Sequence, residues 1–326
     1  MMDPQIRKVT STEEYAGLRD LWCRVFGDEP EFVDAFYRRF GADLSFSEEK
    51  GEIAGYVICD DGRVVSALTL YRCGTMYIPD PGETMDEEDP VIFPDREFAG
   101  LPVYVTYAVC TDPGYRGRGY AGRLTEHVKK TVTEDLRALS VVSPAEPELE
   151  DYYGSFGYEK GFFAFEGKAF SDILMYDEDM FDDDDDFDAF DPGLSVVSAG
   201  AALYNRYREA FLADTPHVSL SEPMMEAVRD CSLDGDGLCV INGGDAVCVL
   251  SGSGDQQTGV IVSELLVNPM LTEISEEIDI EIAARLAGYL EHEGLIYRTP
   301  GMGSCQSMYA SAVQGKLRGY FGFPLE

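Results

Sequence analysis

The sequence predicts an α/β (α+β) protein built from two successive units. The chain has 326 residues, which exceeds the usual length of one domain. A strand-like run at 103–111 leads through a glycine-rich turn into a helical stripe of Leu124, Val128 and Val132. The strand and helix pattern of the first half returns in weaker form after residue 193. We therefore expect domains at 1–175 and 193–326, joined by an acidic linker at 176–192.

The first half begins with a strand at 5–9 and two helices with aromatic faces. Ser11 and Glu14 have the spacing of a capping box that starts the first helix. Asp61-Gly62 separates two alternating apolar runs, which predicts a hairpin. The later predicted elements of this half are a strand, a helix and a last strand, at 103–111, 120–136 and 162–170.

The second half repeats this order less clearly. Leu203, Tyr207 and Phe211 have the same spacing as Leu18, Trp22 and Phe26 in the first half. The remaining predicted elements are a strand at 194–197, a hairpin at 237–242 and 246–251, a strand at 260–267, a helix at 274–290 and a strand at 295–298. Residues 177–191 contain ten acidic residues and no base. They favour a self-repelling linker, with calcium chelation as the alternative.

The turn between residues 111 and 120 has the composition of a phosphate-binding site. Glycines let backbone N–H groups converge at a helix start, where the helix dipole favours an anion. Arg116, Arg118 and Arg123 lie within eight residues that contain no acid, in a chain with 61 acidic and 25 basic residues. A basic loop in such an acidic chain predicts an anionic ligand. An ordinary glycine-rich turn is the alternative.

Arg116, Gly119 and Ala121 fill an Arg-x-x-Gly-x-Ala motif, which resembles the acyl-CoA pyrophosphate loop of the GNAT N-acetyltransferases. Downstream, residues 152–158 (Tyr-Tyr-Gly-Ser-Phe-Gly-Tyr) resemble the closing segment of the same superfamily. The resemblance covers residues 5–170 well and 190–326 loosely. Two GNAT copies, the second degenerate, resemble the enhanced intracellular survival acetyltransferases without their small third domain.

The resemblance implies a GNAT fold, with a mixed, mostly antiparallel central sheet flanked by helices and followed by a degenerate GNAT-like copy that covers the acceptor cleft. It implies acetyl-CoA as acyl donor and no metal. In the second copy, Asn-Pro-Met-Leu-Thr at 268–272 replaces the cradle, so one cofactor site is expected. The residues that the resemblance assigns to the cofactor are Val109, Cys110, Thr111, Arg116, Gly117, Arg118, Gly119, Tyr120, Ala121 and Gly122.

The resemblance also implies catalytic residues. Tyr153 matches the tyrosine that protonates the coenzyme A sulfur, with a core aromatic role as the alternative. Tyr152 is adjacent and serves as a control. The buried C-terminal carboxylate of the subfamily suggests Glu326 as general base, since the tail after Gly319 is apolar; an ordinary edge strand is the alternative. Glu146 is a second candidate base.

Composition narrows the partners and the compartment. A formal net charge of −36 argues against nucleic acid and anionic membranes, and it favours cationic acceptors through steering. Eight cysteines without a Cys-x-x-Cys motif indicate reduced thiols. Cys110 as a nucleophile is a minor alternative. With no apolar leader or span in the sequence, we expect a cytoplasmic protein. Aromatic faces on both halves favour association into a homo-oligomer.

The resemblance, taken together with these features, implies an acetyl-CoA-dependent N-acetyltransferase that acts on a primary amine of a small molecule or peptide by direct transfer. A different acyl donor and a protein N-terminal amine as acceptor are alternatives. From another class, the chain is a non-catalytic acyl-CoA-binding sensor. A scaffold protein without coenzyme A binding is the third alternative.

Overall fold

The computed structural model of the chain describes residues 5–46, 52–80, 94–171, 194–253, 260–272, 275, 277–301 and 303–322. The predicted acidic linker and Glu326 lie outside the described residues, as does Ile274 at the start of a predicted helix. Within the described part of the chain, no helix combines the length and the apolar character needed to cross a lipid bilayer.

The first half contains the predicted hairpin, strands and helices. Ser11 caps the first helix by accepting the N–H of Glu14 at 3.2 Å, and Gly27 ends it with φ +85°. The elements are β1 (Ile6–Lys8), α1 (Thr12–Phe26), α2 (Pro30–Arg39), β2 (Ile53–Asp60), β3 (Arg63–Tyr77), β4 (Pro102–Thr111), α3 (Tyr120–Lys130), β5 (Leu139–Val142), α4 (Glu148–Gly154) and β6 (Glu159–Phe170).

The second half contains the predicted elements and four that the sequence analysis did not predict, namely β8, α6, α7 and β13. The elements are β7 (Val196–Ser198), α5 (Ala201–Phe211), β8 (His217–Leu220), α6 (Glu222–Cys231), β9 (Leu238–Ile241), β10 (Ala246–Ser253), β11 (Val260–Val267), α7 (Pro269–Thr272), α8 (Ile278–Tyr289), β12 (Gly294–Pro300) and β13 (Ser304–Ala310).

All described strands belong to one 13-stranded sheet in the order β1-β2-β3-β4-β5-β13-β6-β12-β11-β10-β9-β7, and β8 pairs with the end of β3. Two neighbouring pairs are parallel, β4 with β5 and β11 with β12; the other described pairs are antiparallel. The prediction of a mixed, mostly antiparallel sheet is confirmed.

The two halves exchange strands at the centre of this sheet. β13 lies between β5 and β6 of the first half, with Met308 opposite Val142. β6 lies between β13 and β12 of the second half, with Ile296 opposite Lys168. The sheet of each half is therefore completed by a strand of the other.

Helices cover both faces of the first half of the sheet. α1 and α2 pack on one face, where Trp22 and Phe36 contact Tyr107. α3 packs on the other face, where Leu124 and Val128 are fully buried in a cluster with strand residues. The first half of the sheet is therefore covered by helices on both faces.

The tail is buried over its described part, as its apolar composition predicted. Tyr320 and Phe321 are each 1% exposed. Residues 319–322, the described part of the tail, form no edge strand; isolated bridges join Gly319 to Phe162 and Tyr320 to His217. The end of the described chain is therefore held between β6 and β8.

Candidate active site

The site begins where β4 and β5 separate. Residues Val103–Val105 pair with Leu139–Val141, and the recorded pairing between the two strands ends there. Ala108 has φ +49°, and the register of β4 against β3 shifts at this point, so β4 contains a bulge. A bulge bends a strand locally. The second half of β4 therefore diverges from β5.

A cavity of about 580 Å³ occupies this divergence. One wall comes from α1, α2 and their connection, with Trp22, Phe26 and Asp28. β4 contributes residues from Val105 to Val109, and the segment after β5 contributes Ser143 to Pro147. α4, β12, β13 and the tail close the remaining side. Both halves of the chain thus build the cavity.

The predicted cofactor residues lie together at the end of β4 and the start of α3. Gly117 and Gly119 both have φ +77°, a conformation that glycine adopts without strain. Gly119 is the N-cap of α3, and its lack of a side chain leaves the first amides of the helix without a side-chain cap. Arg116 Nε donates to the carbonyl of Thr111 at 3.3 Å, which folds the turn back on the strand.

The remaining residues of the turn keep it basic and attach it to the fold. The guanidinium of Arg118 lies 4.6 Å from the centre of the Tyr115 ring and 3.7 Å from a carboxylate oxygen of Asp60. Tyr120 is buried, whereas Ala121 is partly exposed at the helix start. The structure therefore brings these residues to one end of the cavity-bearing strand.

Gly122 links the two sequence motifs. A Cβ atom at this position would lie 2.7 Å from the ring of Phe156, closer than carbon atoms can approach. Lys129 of the same helix donates to the carbonyl of Phe156. The helix after the turn thus packs directly on the Tyr-x-x-Phe segment, and the two motifs form one structural unit.

Cys110 is on the strand but its thiol is turned into the core. The residue is 3% exposed, and burial raises the pKa of its thiol to about 12. A thiol with that pKa is protonated near neutral pH and is a weak nucleophile. Val109 lines the cavity, whereas Cys110 and Thr111 are not among its lining residues.

Tyr153 lines the cavity from α4 and is 8% exposed. Burial raises the pKa of its phenol, with smaller contributions from Tyr152 and Tyr158, so the group keeps its proton at neutral pH. The ring of Tyr152 packs on Phe156 with centroids 5.1 Å apart and is not among the residues that line the cavity. Of the two adjacent tyrosines, Tyr153 lines the cavity and Tyr152 does not, so Tyr152 can serve as the control.

Two residues in the cavity wall were missed by the sequence analysis. Asp28, to which the sequence analysis assigned no role, accepts the indole N–H of Trp22 at 2.6 Å and lines the cavity. Gln306 reaches the cavity from β13. The position of Asp28 between two aromatic helices could have indicated a cavity residue. Gln306 could not be recognised from the local sequence, because its position depends on a long-range strand pairing.

The proposed bases have different positions. Glu146 is exposed and lines the cavity in the segment after β5. Glu326 lies outside the described residues, but Phe321, five positions earlier, lines the cavity. Arg208 donates to the carbonyl of Phe321 at 3.1 Å, which fixes this part of the tail at the cavity wall.

Residues 99–161, which contain β4, the turn, α3, β5 and α4, match the family model described as an acetyltransferase (GNAT) domain. The chain carries a GNAT domain. A comparison with curated protein sequences gave no match. The matched segment contains both motifs on which the sequence resemblance was based, and that resemblance is confirmed.

Solved structures share the GNAT fold over nearly the whole chain. A GCN5-related N-acetyltransferase from Anabaena variabilis ATCC 29413 has a TM-score of 0.60 at 12% identity, over 94% of this chain and 71% of that one. One from Kribbella flavida has 0.57 at 16% identity, over 94% and 71%. Eis1 from Mycobacterium abscessus has 0.52 at 11% identity, over 92% and 66%. At these identities the likeness concerns the fold.

Proposed function

We propose that this GNAT protein transfers an acetyl group from acetyl-CoA to a primary amine of a cationic small molecule or peptide by direct transfer. The observation that carries the proposal is the continuity of one strand. β4 ends in the glycine turn at α3 and, a few residues earlier, forms the wall of the cavity that Tyr153 lines. A donor bound at the turn would reach the cavity along this strand.

The chain's own groups suit such a donor. The uncapped amides at the start of α3 and the basic side chains of the turn favour a pyrophosphate. Beyond Val105, the described residues of β4 pair with β3 on one edge and not with β5 on the other. That free edge offers backbone groups to the amides of a pantetheine arm, and a backbone N–H there would polarise the thioester carbonyl.

Tyr153 is the proposed proton donor. As the nitrogen lone pair of the amine forms the new C–N bond, the C–S bond breaks and its electron pair goes to sulfur. The phenol of Tyr153, kept neutral by burial, supplies the proton that sulfur takes. The proton lost by the amine goes to a carboxylate, for which Glu326 and Glu146 are the proposed groups.

The charge of the cavity supports a cationic acceptor. Among the described residues that line it, three carry carboxylates, Asp28, Glu146 and Glu150, and one carries a guanidinium, Arg298, which donates to Glu166 at 3.1 Å. Trp22, Phe26 and Phe32 form an aromatic wall near Asp28. Aromatic faces and carboxylates together favour cations.

Thermal unfolding with and without acetyl-CoA tests donor binding. A ligand at a hundredfold excess over its Kd stabilises the native state by about 2.7 kcal/mol. We expect a clear rise in Tm for the wild type and none for the double variant Arg116→Ala, Gly119→Asp. If the wild type shows no shift, both the enzyme and the sensor interpretations fail.

A matched pair of tyrosine variants separates the enzyme from the sensor. Tyr153→Phe should lower kcat by about 10²–10⁴-fold, the usual contribution of a general acid, and leave acetyl-CoA affinity unchanged. Tyr152→Phe should keep nearly full turnover. Equal losses in the two variants would contradict the assigned role of Tyr153. A protein that binds acetyl-CoA but turns over no amine would be the sensor.

Removal of residues 324–326 tests the base. If Glu326 accepts the amine proton, this deletion should reduce turnover much more than acetyl-CoA binding, and Glu146→Gln should leave turnover nearly intact. The opposite pair of results would assign the role to Glu146. Equal losses of turnover and binding in the truncated protein would contradict a role for Glu326.

A further inference from the structure

Gln306 is a buried amide side chain in the cavity wall. It is 9% exposed, and neither its Nε2 nor its Oε1 atom has a hydrogen-bond partner among the described residues. Buried polar side chains in folded proteins are nearly always hydrogen-bonded, because an unpaired one loses its water contacts without compensation. An unpaired amide beside a cavity is therefore suited to a ligand.

The local backbone directs this side chain. In the pairing of β13 with β6, Cys305 lies opposite Phe163 and Ser307 lies opposite Phe162, so Gln306 is the extra residue of a bulge. Bulges next to binding sites redirect side chains. The hydroxyls of Ser307 and Ser143 are 2.7 Å apart, which holds β13 against the end of β5. The position of Gln306 is thus fixed on both sides.

Gln306 reaches the cavity from β13, which is separated from the proposed donor edge by β5. The donor edge is the free edge of β4, and β5 lies between β4 and β13 in the sheet. Two charged residues that line the cavity on the side of β13 are already engaged, Arg298 with Glu166 and Glu150 with Lys160. Gln306 is therefore placed to meet the acceptor.

The chemistry of a carboxamide restricts what it can meet. Its NH₂ group donates and its carbonyl accepts. An ammonium group alone would satisfy only the carbonyl, and a carboxylate only the NH₂ group, whereas an amide satisfies both. We propose that the acceptor carries an amide group next to its amine, as an amino-acid amide or a peptide N-terminus does, and that Gln306 pairs with that amide. The proposal rests on the proposed acetyl transfer.

Matched acceptors test this directly. Lysinamide and cadaverine share the same aminoalkyl chain, and only lysinamide has the carboxamide. For the wild type we expect kcat/KM to be about tenfold or more higher for lysinamide. Gln306→Leu should abolish that preference, lose activity on lysinamide and keep that on cadaverine. Ser304→Ala, at an exposed neighbour in the same wall, should retain the preference.

Two further measurements check that Gln306→Leu still folds and still binds acetyl-CoA. Gln306→Leu removes an unpaired buried amide, so the ligand-free variant should have a Tm at or above that of the wild type. Its Kd for acetyl-CoA should be unchanged. Pantetheine also contains amides, so a weaker Kd with equal losses on both amines would assign Gln306 to the donor and overturn the proposal.

The remaining outcomes are also decisive. A wild type without preference for the amide member, in turnover or in acceptor binding, overturns the proposal even if cadaverine is acetylated. A wild type whose Tm does not respond to acetyl-CoA overturns the proposed function itself. The two failures are distinguishable because acetyl-CoA binding does not require an acceptor.

Discussion

In each half, the first strand of the parallel pair, β4 or β11, ends in the same kind of turn. The chain that follows the turn differs between the halves. Asp112 after β4 accepts the N–H of Gly114 at 3.0 Å, and Asn268 after β11 accepts that of Met270 at 3.1 Å; a proline follows each. In the first half the chain continues through Gly117 and Gly119 into the 11-residue α3. In the second half the 4-residue α7 starts at once, with Asn268 as its cap. The proposed phosphate cradle is thus an addition beyond a shared turn.

Beyond each parallel pair the two strands separate, and the residues that border this separation differ between the two halves. In the first half, β4 past Val105 borders the cavity. In the second half, β11 past Val262 places Glu264 in contact with Arg208, Nε to Oε2 3.2 Å, and both side chains are 0% exposed. Tyr204 donates to the same carboxylate at 2.9 Å. In the first half the separating strands border a cavity, whereas in the second half an ion pair is buried beyond the parallel pair.

Removal of the second half should have the largest effect on folding and on acetyl-CoA binding. A chain of residues 1–175 lacks β12 and β13, which leaves β5 paired only with β4 and leaves both edges of β6 unpaired. Exposed strand edges promote aggregation, and the buried cluster that contains Val142 and Tyr153 loses its β13 members, Met308 and Ala310. We expect no cooperative unfolding transition and no stabilisation by acetyl-CoA.

The control for this truncation is production of residues 176–326 in the same cells. Recovery of acetyl-CoA-dependent stabilisation in the combined sample would show that the loss came from missing strands. If residues 1–175 alone unfold cooperatively and bind acetyl-CoA, the strand exchange is not needed for the site.

The buried ion pair should give the next largest effect. Arg208→Met leaves the Glu264 carboxylate buried without its cation and removes the donors to Val218 and Phe321. Loss of one partner of a buried pair costs about 3–5 kcal/mol in the free energy of unfolding. A second substitution, Glu264→Leu, should recover part of this loss in urea unfolding. A loss below about 1 kcal/mol for Arg208→Met would contradict a structural role for the pair.

A negative charge placed in the turn of each half tests whether only the first turn binds acetyl-CoA. Asp and Asn both tolerate positive φ, so Gly119→Asp and Gly119→Asn should keep the turn, while only the first adds a negative charge. We expect Gly119→Asp to weaken acetyl-CoA binding at least about tenfold more than Gly119→Asn does. Asn268→Asp puts the same charge in the second turn and should leave binding unchanged. Calorimetric titration measures all three, and a loss with Asn268→Asp would place a site in the second half.

Elements with local signals could be predicted from the sequence. The hairpin of β2 and β3, the strand β4 and the helix α3 each have alternation, periodicity or turn residues within a few positions of one another. The glycine turn could be predicted because its conformation needs glycine. Tyr153 could be picked out because it belongs to a family motif.

The strand exchange could not be predicted, because pairing partners far apart leave no periodic signal. Ser143 and Ser307, which hold β5 to β13, are 164 positions apart. The same reason conceals Gln306, which becomes a cavity residue only through that pairing. Asp28 lies in the short connection between α1 and α2, and its place in the cavity depends on how these two helices pack on β4.

The smallest expected effect is a difference in how pH changes the contributions of the Asp112 and Asn268 turns to the free energy of unfolding. The N–H of Gly114 and then Arg24 lower the pKa of Asp112, whereas the side chain of Asn268 does not titrate. A carboxyl whose pKa is lower in the folded state stabilises the protein above its unfolded pKa, about 3.9, and that contribution is lost as pH falls through the folded value. Asp112→Asn should therefore cost stability at pH 6 and progressively less toward pH 3, as measured by urea unfolding. Asn268→Ala should show the same difference from the wild type at both pH values. If the cost of Asp112→Asn does not change with pH, the Asp112 turn is held by hydrogen-bond geometry alone, as the Asn268 turn is.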